Sequence, residues 1–534
     1  MKCSSASGAL VTALVLSLPC GLVAQDTVQV RDSLQVQVET YVFGYALPPL
    51  EAGAVPVEMS LEEAIARALE VNLNVQSARL SPVIQDYALR VAQAAFATTV
   101  SGTYGYNNAT SLSTSQLDGG NQTNTVRQTF NTSIAKPMPW YGGRFSVNFN
   151  NSRTQTDNSF ATRNPSFSSQ VNLSYTQPLL AGFKTDNQRA AVQTQTIQAQ
   201  ITDLQVLSQV EGIVGQVQEA YWALRAAIEQ IEIQRRSLAE AEQLVEQNRI
   251  RLQLGRGTQY QVIQSQAQLA SAQQALLNAE VQWRNREFAF KQLILGGATD
   301  PLLYETINPV DLPSVTPPSV DIQAAVATAL DQRTDIRQQR QQQRISEVNL
   351  AVTRNGRLPD LNLTASYALQ GVGGDLFDRS GLGGDPVLVQ QGGYFDGLNS
   401  IADFEAPTWS LQLQASYPIG NTADEANLER ARLQLRQQEL ALREQELAIV
   451  TQVTNSGLAV DNTFLQYQAA QRSREAAELN AAAEQVRFNV GAATNFELVA
   501  AQNQVTSARL AELQALIAHL NAAAAFERIQ RVGS

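Results

Sequence analysis

The chain has little of the chemistry on which metalloproteins and disulfide-linked proteins depend. Its 534 residues include two cysteines and one histidine. Both cysteines, Cys3 and Cys20, stand near the N-terminus, so the rest of the chain has neither disulfides nor thiolate metal sites. The histidine, His519, stands in an Ala- and Leu-rich helical segment without a second His or a Cys nearby. We interpret it as a packed or solvated side chain and not as a metal ligand.

Basic charge and catalytic motifs are scarce as well. The formal net charge of −11 leaves no basic stripe that would neutralise phosphates, which argues against a nucleic-acid partner. The sequence has no phosphate-binding glycine loop followed by Lys and no nucleophile elbow. The GGD triplets at Gly373 and Gly383 have the wrong spacing for calcium-binding repeats and indicate a surface loop. We predict that the protein is not an enzyme and uses no cofactor or metal.

Long hydrophobic runs are absent after the N-terminus. Residues 1–24 combine one Lys, an apolar core from Ala9 to Leu18 and a small-residue end at Leu22–Ala24, which predicts a cleaved secretory signal. Cys20 is an alternative lipid-attachment site, although Pro19 fits that signal poorly. No later segment approaches about 18 consecutive apolar residues, so we expect no transmembrane helix. An exported chain of this kind can still enter a membrane as a β-barrel.

What the chain does contain is a tandem repeat. Four segments of the first half return in the same order in the second half. The pairs are "SLEEAIARALEVNLNV" (Ser60–Val75) with "DIQAAVATALDQRTDI" (Asp321–Ile336), "TVSGTYGYNN" (Thr99–Asn108) with "DLNLTASYAL" (Asp360–Leu369), "SQVNLSYTQPL" (Ser169–Leu179) with "WSLQLQASYPI" (Trp409–Ile419), and "RLQLGRGTQYQVIQSQ" (Arg251–Gln266) with "RFNVGAATNFELVAAQ" (Arg487–Gln502). Each half therefore reads as helix, strand, loop, strand, very long helix, glycine turn and long helix.

These matches set the predicted domain boundaries. We divide the chain into residues 1–24 as signal peptide, 25–58 as an extended N-terminal segment, 59–320 as the first repeat and 321–530 as the second repeat. The predicted strands cover about residues 98–108 and 168–178 in the first repeat and about 360–369 and 409–418 in the second, with the turns near 255 and 491.

The two very long helices are predicted at Lys184–Leu254 and Thr422–Val490. At 1.5 Å per residue each is about 100 Å long, which is far too long for the core of a compact domain. Apolar residues recur along them and along the following helices with a period of seven, which predicts coiled-coil packing. These residues are Leu224, Ile231, Leu238, Val245 and Leu252; Val262, Leu269, Leu276, Trp283 and Phe290; and Leu428, Leu435, Leu442 and Ile449, beside Leu433, Leu440 and Leu447.

The predicted strands alternate apolar and polar residues. In Ser410–Tyr417, Leu411, Leu413 and Ala415 alternate with polar side chains. This pattern and length suit an outer-membrane strand of about 9–11 residues, with a half-buried strand of a soluble sandwich as the alternative. Four such strands per chain cannot close a barrel, because small barrels need about eight, so subunits must share one. An apparent extra hairpin near residues 128–152 either lengthens this barrel or projects from it.

Taken together, these segments resemble the TolC family of outer-membrane efflux channels over about residues 59–530. The motifs are "SLEEAIARAL" and its repeat, "GRLPDLNLTASY", "YTQPLLAGF" and the two glycine turns. The resemblance implies an α-helical coiled-coil barrel plus a membrane β-barrel, built as a homotrimer with twelve shared strands. It implies location in the cell outer membrane, with the helical part in the periplasm and contact with membrane lipid. It also implies a passive duct that works with a periplasmic adaptor protein and an inner-membrane pump.

The same resemblance assigns roles to residues at the turns. Gly255 and Gly491 would mark the periplasmic tips of the helical hairpins, where a glycine permits the tight turn. The tip residues that would contact the adaptor are Arg251, Leu254, Gly255, Arg487, Val490 and Gly491. For the two arginines, capping of the last helical carbonyls is the alternative role.

A periplasmic gate is expected just after the second turn, where the family has acidic residues that ring the tunnel. Glu497 matches this pattern, Ala500 departs from it, and Gln261 is the uncharged equivalent in the first half. Three carboxylates about 6 Å apart would repel by about 3 kcal/mol per pair, so such a ring would bind a cation or hold a raised pKa. The alternative is that Glu497 is an ordinary solvated acid.

The cargo does not follow from the sequence, since small molecules and secreted polypeptides both pass through such ducts. The alternative function is a non-conducting coiled-coil spacer of the cell envelope with surface-exposed loops. A secreted enzyme is disfavoured because no catalytic constellation is present.

Overall fold

The structure is a computed structural model that describes residues 46–49, 55–114, 120–313, 315, 317–379, 381, 384–420 and 422–530. The predicted signal peptide, with Cys20, and most of the segment 25–58 lie outside the described residues. The described part of the chain alternates short helices, long strands and very long helices.

The first half runs from a short strand through four long strands into two long helices. Its elements are β1 (Val57–Met59), α1 (Leu61–Val71), α2 (Leu73–Gln93), β2 (Thr99–Leu112), β3 (Gln122–Pro137), β4 (Arg144–Thr156), β5 (Ser166–Pro178), α3 (Asn187–Gln253) and α4 (Gln259–Ile294). The helix starts follow capping rules: Ser60 and Glu63 form a capping box before α1, and Asp186 accepts a hydrogen bond from the Arg189 N–H before α3.

The second half has a similar order of elements. They are β6 (Ile307–Pro309), α5 (Ile322–Gln332), α6 (Thr334–Gly356), β7 (Asp360–Gly373), β8 (Leu376–Asp378), β9 (Val387–Gln390), α7 (Tyr394–Ala402), β10 (Pro407–Ser416), α8 (Thr422–Asn489) and α9 (Asn495–Gln530). Parallel pairing of β1 with β6 brings the beginnings of the two halves side by side. The long loop expected between β7 and β10 contains β8, β9 and α7.

Six long strands form one antiparallel sheet in the order β10-β7-β5-β4-β3-β2. The expectation of four strands per chain is therefore wrong. The extra hairpin near residues 128–152 is β3 and β4, and it is paired within the sheet between β2 and β5. The sequence signal was weak because Gln128 and Thr132 interrupt the apolar side of β3 between Val126, Phe130 and Ile134.

The long helices agree with prediction at both ends to within three residues. Helices α3 and α8 have 67 and 68 residues, so each is about 100 Å long, and α4 and α9 return over 36 residues each. Among the described residues, none of the helices is both long enough and apolar enough to cross a membrane.

Most of the predicted seven-residue stripe forms the core. Leu224 and Ile231 of α3 pack with Trp283 and Phe290 of α4 and with Ala64 of α1 in the largest apolar cluster. Burial of each large side chain contributes about 1.5–3 kcal/mol. One part of the pattern differs: Leu433, Leu440 and Leu447 of α8 are exposed, so this stripe has no coiled-coil partner among the described residues.

Candidate functional site

The first hairpin tip is a glycine turn between α3 and α4. Gly255 has φ +68°, the Gly255 N–H donates to the Leu252 carbonyl at 3.0 Å, and the Arg256 N–H donates to the Arg251 carbonyl at 2.8 Å. These two bonds form a Schellman motif, which satisfies carbonyls at the helix end. A residue with a Cβ would lose about 1–2 kcal/mol in this left-handed conformation. The glycine is therefore required by the turn itself.

The second tip, between α8 and α9, is built in the same way. Gly491 has φ +78°, the Gly491 N–H donates to the Phe488 carbonyl at 3.1 Å, and the Ala492 N–H donates to the Arg487 carbonyl at 2.7 Å. Both turns have the same hydrogen bonds, a long helix precedes each, and a 36-residue helix follows each. The tips therefore lie at corresponding ends of two hairpins.

Glu497 and Gln261 are both the third residue of the helix that leaves a tip, and each closes a capping box. The Gln261 side chain accepts the Thr258 N–H at 2.9 Å, and the Glu497 carboxylate accepts the Thr494 N–H at 2.7 Å and its hydroxyl at 2.9 Å. The backbone hydrogen bond from Thr494, followed by its hydroxyl, lowers the pKa of Glu497. Within one protomer, Glu497 is thus an ionised helix cap, and this direction is opposite to that expected for a crowded ring.

The two arginines before the tips have different partners. Arg251 reaches from the first hairpin to the second: its Nη2 donates to the Phe488 carbonyl at 3.0 Å, and its guanidinium lies 3.8 Å from the Phe488 ring centroid. Arg487 stays within its own turn, where it donates to the Ala492 carbonyl at 3.3 Å and pairs with Glu484 at 2.6 Å. Arg251 therefore joins the two tips, whereas Arg487 stabilises one.

A second connection between the tips was not predicted from the sequence. The Asn248 amide donates to Asn495 Oδ1 at 2.9 Å, and the Asn495 amide donates to Gln264 Oε1 at 3.0 Å. Both asparagines are buried beside the apolar cluster that contains Leu244 and Phe488. The sequence did contain a signal for this contact: Asn248 stands three residues after Val245, which is the second core position of a heptad.

A buried charge cluster farther from the tips was also missed. Arg474 of α8 pairs with Glu478 at 2.8 Å and with Glu512 of α9 at 2.7 Å, and Arg509 pairs with Glu478 at 2.9 Å. Burial raises the pKa of Glu512, an effect that Arg474 opposes. These side chains satisfy one another's charges and hydrogen bonds across the α8–α9 contact. We interpret the cluster as stabilising the packing of the two helices.

His519 is buried in α9 against Phe464, with its Nδ1 at 3.3 Å from the Thr463 hydroxyl. Burial lowers its pKa. Within the described residues, no group of three or more His, Cys, Asp or Glu side chains is arranged to hold a metal ion.

Both tips expose apolar side chains at corresponding positions. Leu254 and Val490, each directly before its glycine, are 66% and 76% exposed. Tyr260 and Phe496, each five residues after its glycine, are 72% and 68% exposed. An apolar patch that recurs at the end of both hairpins is typical of a surface that binds another protein.

At the opposite end of the molecule, the sheet has one apolar face. The strand register collects most of the apolar residues of the six strands on one side of the sheet, which we call the belt face, although a few polar residues such as Thr132 and Asn151 lie among them. Its members are Val100, Tyr104, Phe130, Ile134, Phe145, Val147, Phe149, Val171, Leu173, Tyr175, Leu363, Ala365, Tyr367, Trp409, Leu411 and Leu413. The other face bears mostly hydroxyl and amide side chains.

The belt face has an upper boundary marked by aromatic residues. Four of them each stand seven residues from the helix-proximal end of their strand: Tyr106, Phe130, Tyr367 and Trp409. Above them the face becomes polar or is covered by α7, where the Tyr394 hydroxyl donates to Asn151 Oδ1 at 3.1 Å. An apolar band about 25 Å tall with an aromatic rim is the pattern of a membrane-spanning β-sheet.

Comparison with known proteins agrees with this geometry. Residues 144–296 and 325–529 match the sequence profile of the family described as "Outer membrane efflux protein". No curated protein matches the sequence.

Several solved structures have a similar fold. The CmeC outer membrane channel of Campylobacter jejuni is 14% identical, with a TM-score of 0.63, covering 88% of this chain and 85% of that one. The outer membrane protein VceC of Vibrio cholerae is 14% identical, with a TM-score of 0.61 and coverages of 89% and 96%. The MtrE outer membrane channel of Neisseria gonorrhoeae is 17% identical, with a TM-score of 0.58 and coverages of 92% and 96%. At these identities the likeness concerns the fold.

Proposed function

This chain belongs to the outer membrane efflux protein family, and on that premise we propose that it is the passive outer-membrane duct of a tripartite export system. It is an outer-membrane protein, and members of its family are channels rather than enzymes. The observation that carries the proposal is the belt face, which suits the hydrocarbon core of a membrane and is joined directly to hairpins about 100 Å long. A protein of this form reaches from the outer membrane deep into the periplasm.

The duct is a homotrimer in this proposal, and exposed apolar stripes on opposite edges of the helical layer support it. Side by side, α2 packs on α3, α3 on α6, and α6 on α8, so α2 and α8 form the two edges. Each edge helix exposes residues at intervals of seven: Leu73, Leu80 and Tyr87 on α2, and Leu433, Leu440 and Leu447 on α8. Because α2 runs towards the sheet and α8 away from it, these stripes match as the two sides of an antiparallel coiled-coil seam between copies.

The tips are the proposed docking end for a periplasmic adaptor protein and, through it, an inner-membrane pump. The exposed residues Leu254, Tyr260, Val490 and Phe496 support this assignment, because they present the same apolar surface twice. Arg251 and Arg487 contribute indirectly, since both are engaged in holding the turns. A three-fold ring of Glu497 beside Gln261 is the proposed gate.

Conductance of the purified oligomer in a planar lipid bilayer tests the duct. We expect a small, cation-selective conductance in the wild type. In Glu497→Ala it should rise or lose its block by divalent cations, because the acidic ring is gone. Glu63→Ala is the matched control, since it removes the carboxylate of a capping box at the start of α1, away from the tips, and should leave the conductance unchanged.

Each outcome separates the alternatives. Conductance that Glu497→Ala does not change would retain the duct and remove Glu497 from the gate. An inserted oligomer that stays silent even when Arg251→Ala loosens the tips would instead support the non-conducting spacer.

A further inference from the structure

We propose that the hairpin β3–β4 is part of the barrel wall, so that three copies of this chain close an eighteen-stranded barrel by pairing β2 of one copy with β10 of the next. The inference rests on the trimeric duct proposed above and deepens it. It departs from the twelve strands that the family resemblance implies, and the departure comes from the sheet itself.

The hairpin has the construction of wall strands. Pairing is continuous from Thr99↔Ala135 to Leu112↔Gln122 between β2 and β3, and β4 is paired with β3 and β5 along nearly its whole length. On the belt face, Phe130 and Ile134 of β3 and Val147 and Phe149 of β4 continue the apolar band. A hairpin that projected into water would gain nothing from this band.

Both edges of the six-stranded sheet have hydrogen-bonding groups without a strand partner. Within the part of the chain that the structure describes, strands β2 and β10 are each paired on one side only. In lipid, each unpaired backbone group costs several kcal/mol, so neither edge can remain open. Strand β2 leads away from α2 and β10 leads into α8, so the two edges run in opposite directions and suit antiparallel pairing between copies.

The sheet already has the stagger that closure requires. Followed from pair to pair, the register carries Thr99, at the helix-proximal end of β2, to Ser410 of β10. Ser410 lies six residues before Ser416, the helix-proximal end of β10. Six residues rise about 20 Å along a strand, and the six interstrand gaps that each copy contributes to the closed barrel span about 29 Å, which gives a strand tilt of about 35°. Closed barrels have tilts of about 35–45°.

If the barrel closes with the helix-proximal ends of β2 and of the next copy's β10 directly opposite each other, the polar faces and the belt faces of the two copies are also aligned. This closure places Thr103 of one copy beside Gln412 of the next, both on the polar face, and Tyr104 beside Leu411, both on the belt face. The apolar band then continues around the whole circumference. Since barrel diameter grows roughly linearly with strand number, this barrel is roughly half as wide again as a twelve-stranded one.

Cross-linking through engineered cysteines tests the wall. The only native cysteines, Cys3 and Cys20, lie in the predicted signal peptide, so the mature chain needs no background substitutions. We would treat outer membranes that contain Thr103→Cys/Gln412→Cys with a short bis-thiosulfonate cross-linker, alongside Thr103→Cys/Gln414→Cys for a register shifted by two residues. The expected result is a reducible ladder on denaturing gels that ends at three times the monomer mass.

Two further variants make the result specific. Thr103→Cys/Leu411→Cys is the matched control, with one cysteine on each face, and should give no ladder. Thr103→Cys/Asn131→Cys, which joins directly opposite residues of β2 and β3, should link within one chain.

Several outcomes would overturn the eighteen-stranded wall. One is a link within the chain between Thr103→Cys and Ser174→Cys of β5, which requires the hairpin to be outside the wall. Another is a ladder that ends at two copies. Bilayer conductance together with either result would keep the duct and overturn only this inference, whereas no conductance and no ladder would remove both.

Discussion

At the residue scale, Glu497 and Arg251 show how much of the tip is decided by single hydrogen bonds. The Glu497 carboxylate is held by Thr494 at the start of α9, and the Arg251 guanidinium is held on the Phe488 carbonyl of the other hairpin. Both side chains are charged, and charge-assisted hydrogen bonds are stronger than neutral ones. Each therefore makes a prediction that can be measured locally.

The cap formed by Glu497 should depend on pH. Because its folded-state pKa is lowered, its stabilising contribution is present above the ordinary carboxyl value of about 4.3 and is lost as the pH falls through the lower folded-state value. Hydrogen-exchange protection factors of the Thr494–Leu498 amides should fall over that window. In Glu497→Gln, which imitates Gln261, protection should no longer vary with pH; an unchanged pH profile in this variant would contradict the assignment.

Loss of Arg251 should loosen both tips. Arg251→Ala removes a charged hydrogen bond and a ring contact, which together contribute about 1–2 kcal/mol, so amide exchange around Phe488 should accelerate roughly tenfold. Arg487→Ala is the control and should affect the second turn alone. Equal effects of the two variants on the first tip would show that Arg251 does not join the hairpins.

At the element scale, the glycine turns and the capping boxes form one unit that ends a helix and begins the next. The Schellman bonds satisfy carbonyls of the incoming helix, and Thr258 or Thr494 satisfies N–H groups of the outgoing helix. The repetition of this unit at both tips explains why two helices of such length reverse at corresponding positions.

The substitution Gly491→Ala should destabilise the second turn only through its unfavourable backbone conformation. An added Cβ at Gly491 meets no atom within 4 Å, so the cost of Gly491→Ala is that of the left-handed conformation, about 1 kcal/mol net, or about fivefold faster exchange at Phe488–Thr494. Gly212→Ala, in the exposed middle of α3 and equally free of contacts, should change protection in the opposite direction. The same sign at both positions would contradict this explanation.

At the scale of the whole molecule, a protomer is a layer of helices and a sheet with apolar edges and an apolar belt face. In the proposed duct, assembly and membrane insertion cover these apolar surfaces. The same reasoning separates residues that stabilise the protomer from residues that stabilise the oligomer.

Leu440→Gln should weaken the trimer and leave the protomer folded. Leu440 is exposed within the protomer, and its burial between copies would contribute about 1.5–3 kcal/mol per interface. Native mass spectrometry in detergent should show a lower trimer fraction with unchanged helix content by circular dichroism. Glu444→Gln, one turn away, is the control; a trimer fraction equal to that of the wild type in Leu440→Gln would exclude this seam.

The sequence by itself determined the periodic elements. The long helices, the two glycine turns and the alternating strands β5, β7 and β10 follow from local patterns: an apolar period of seven, an obligatory left-handed residue and an apolar period of two. Predicted helix ends such as Leu254 and Val490 lie within one residue of the observed ends because the turn chemistry stands beside them.

Only the tertiary structure decided what depends on partners distant in the chain. Strands β3 and β4 belong to the sheet through their pairing with β2 and β5, and the polar residues Gln128 and Thr132 of β3 obscure this in the sequence. Arg251 could not be assigned beforehand because Phe488 is 237 residues away, and the same holds for Asn248 with Asn495. A local pattern fixes backbone conformation, whereas the partner of a polar side chain is fixed by the packing that brings distant segments together.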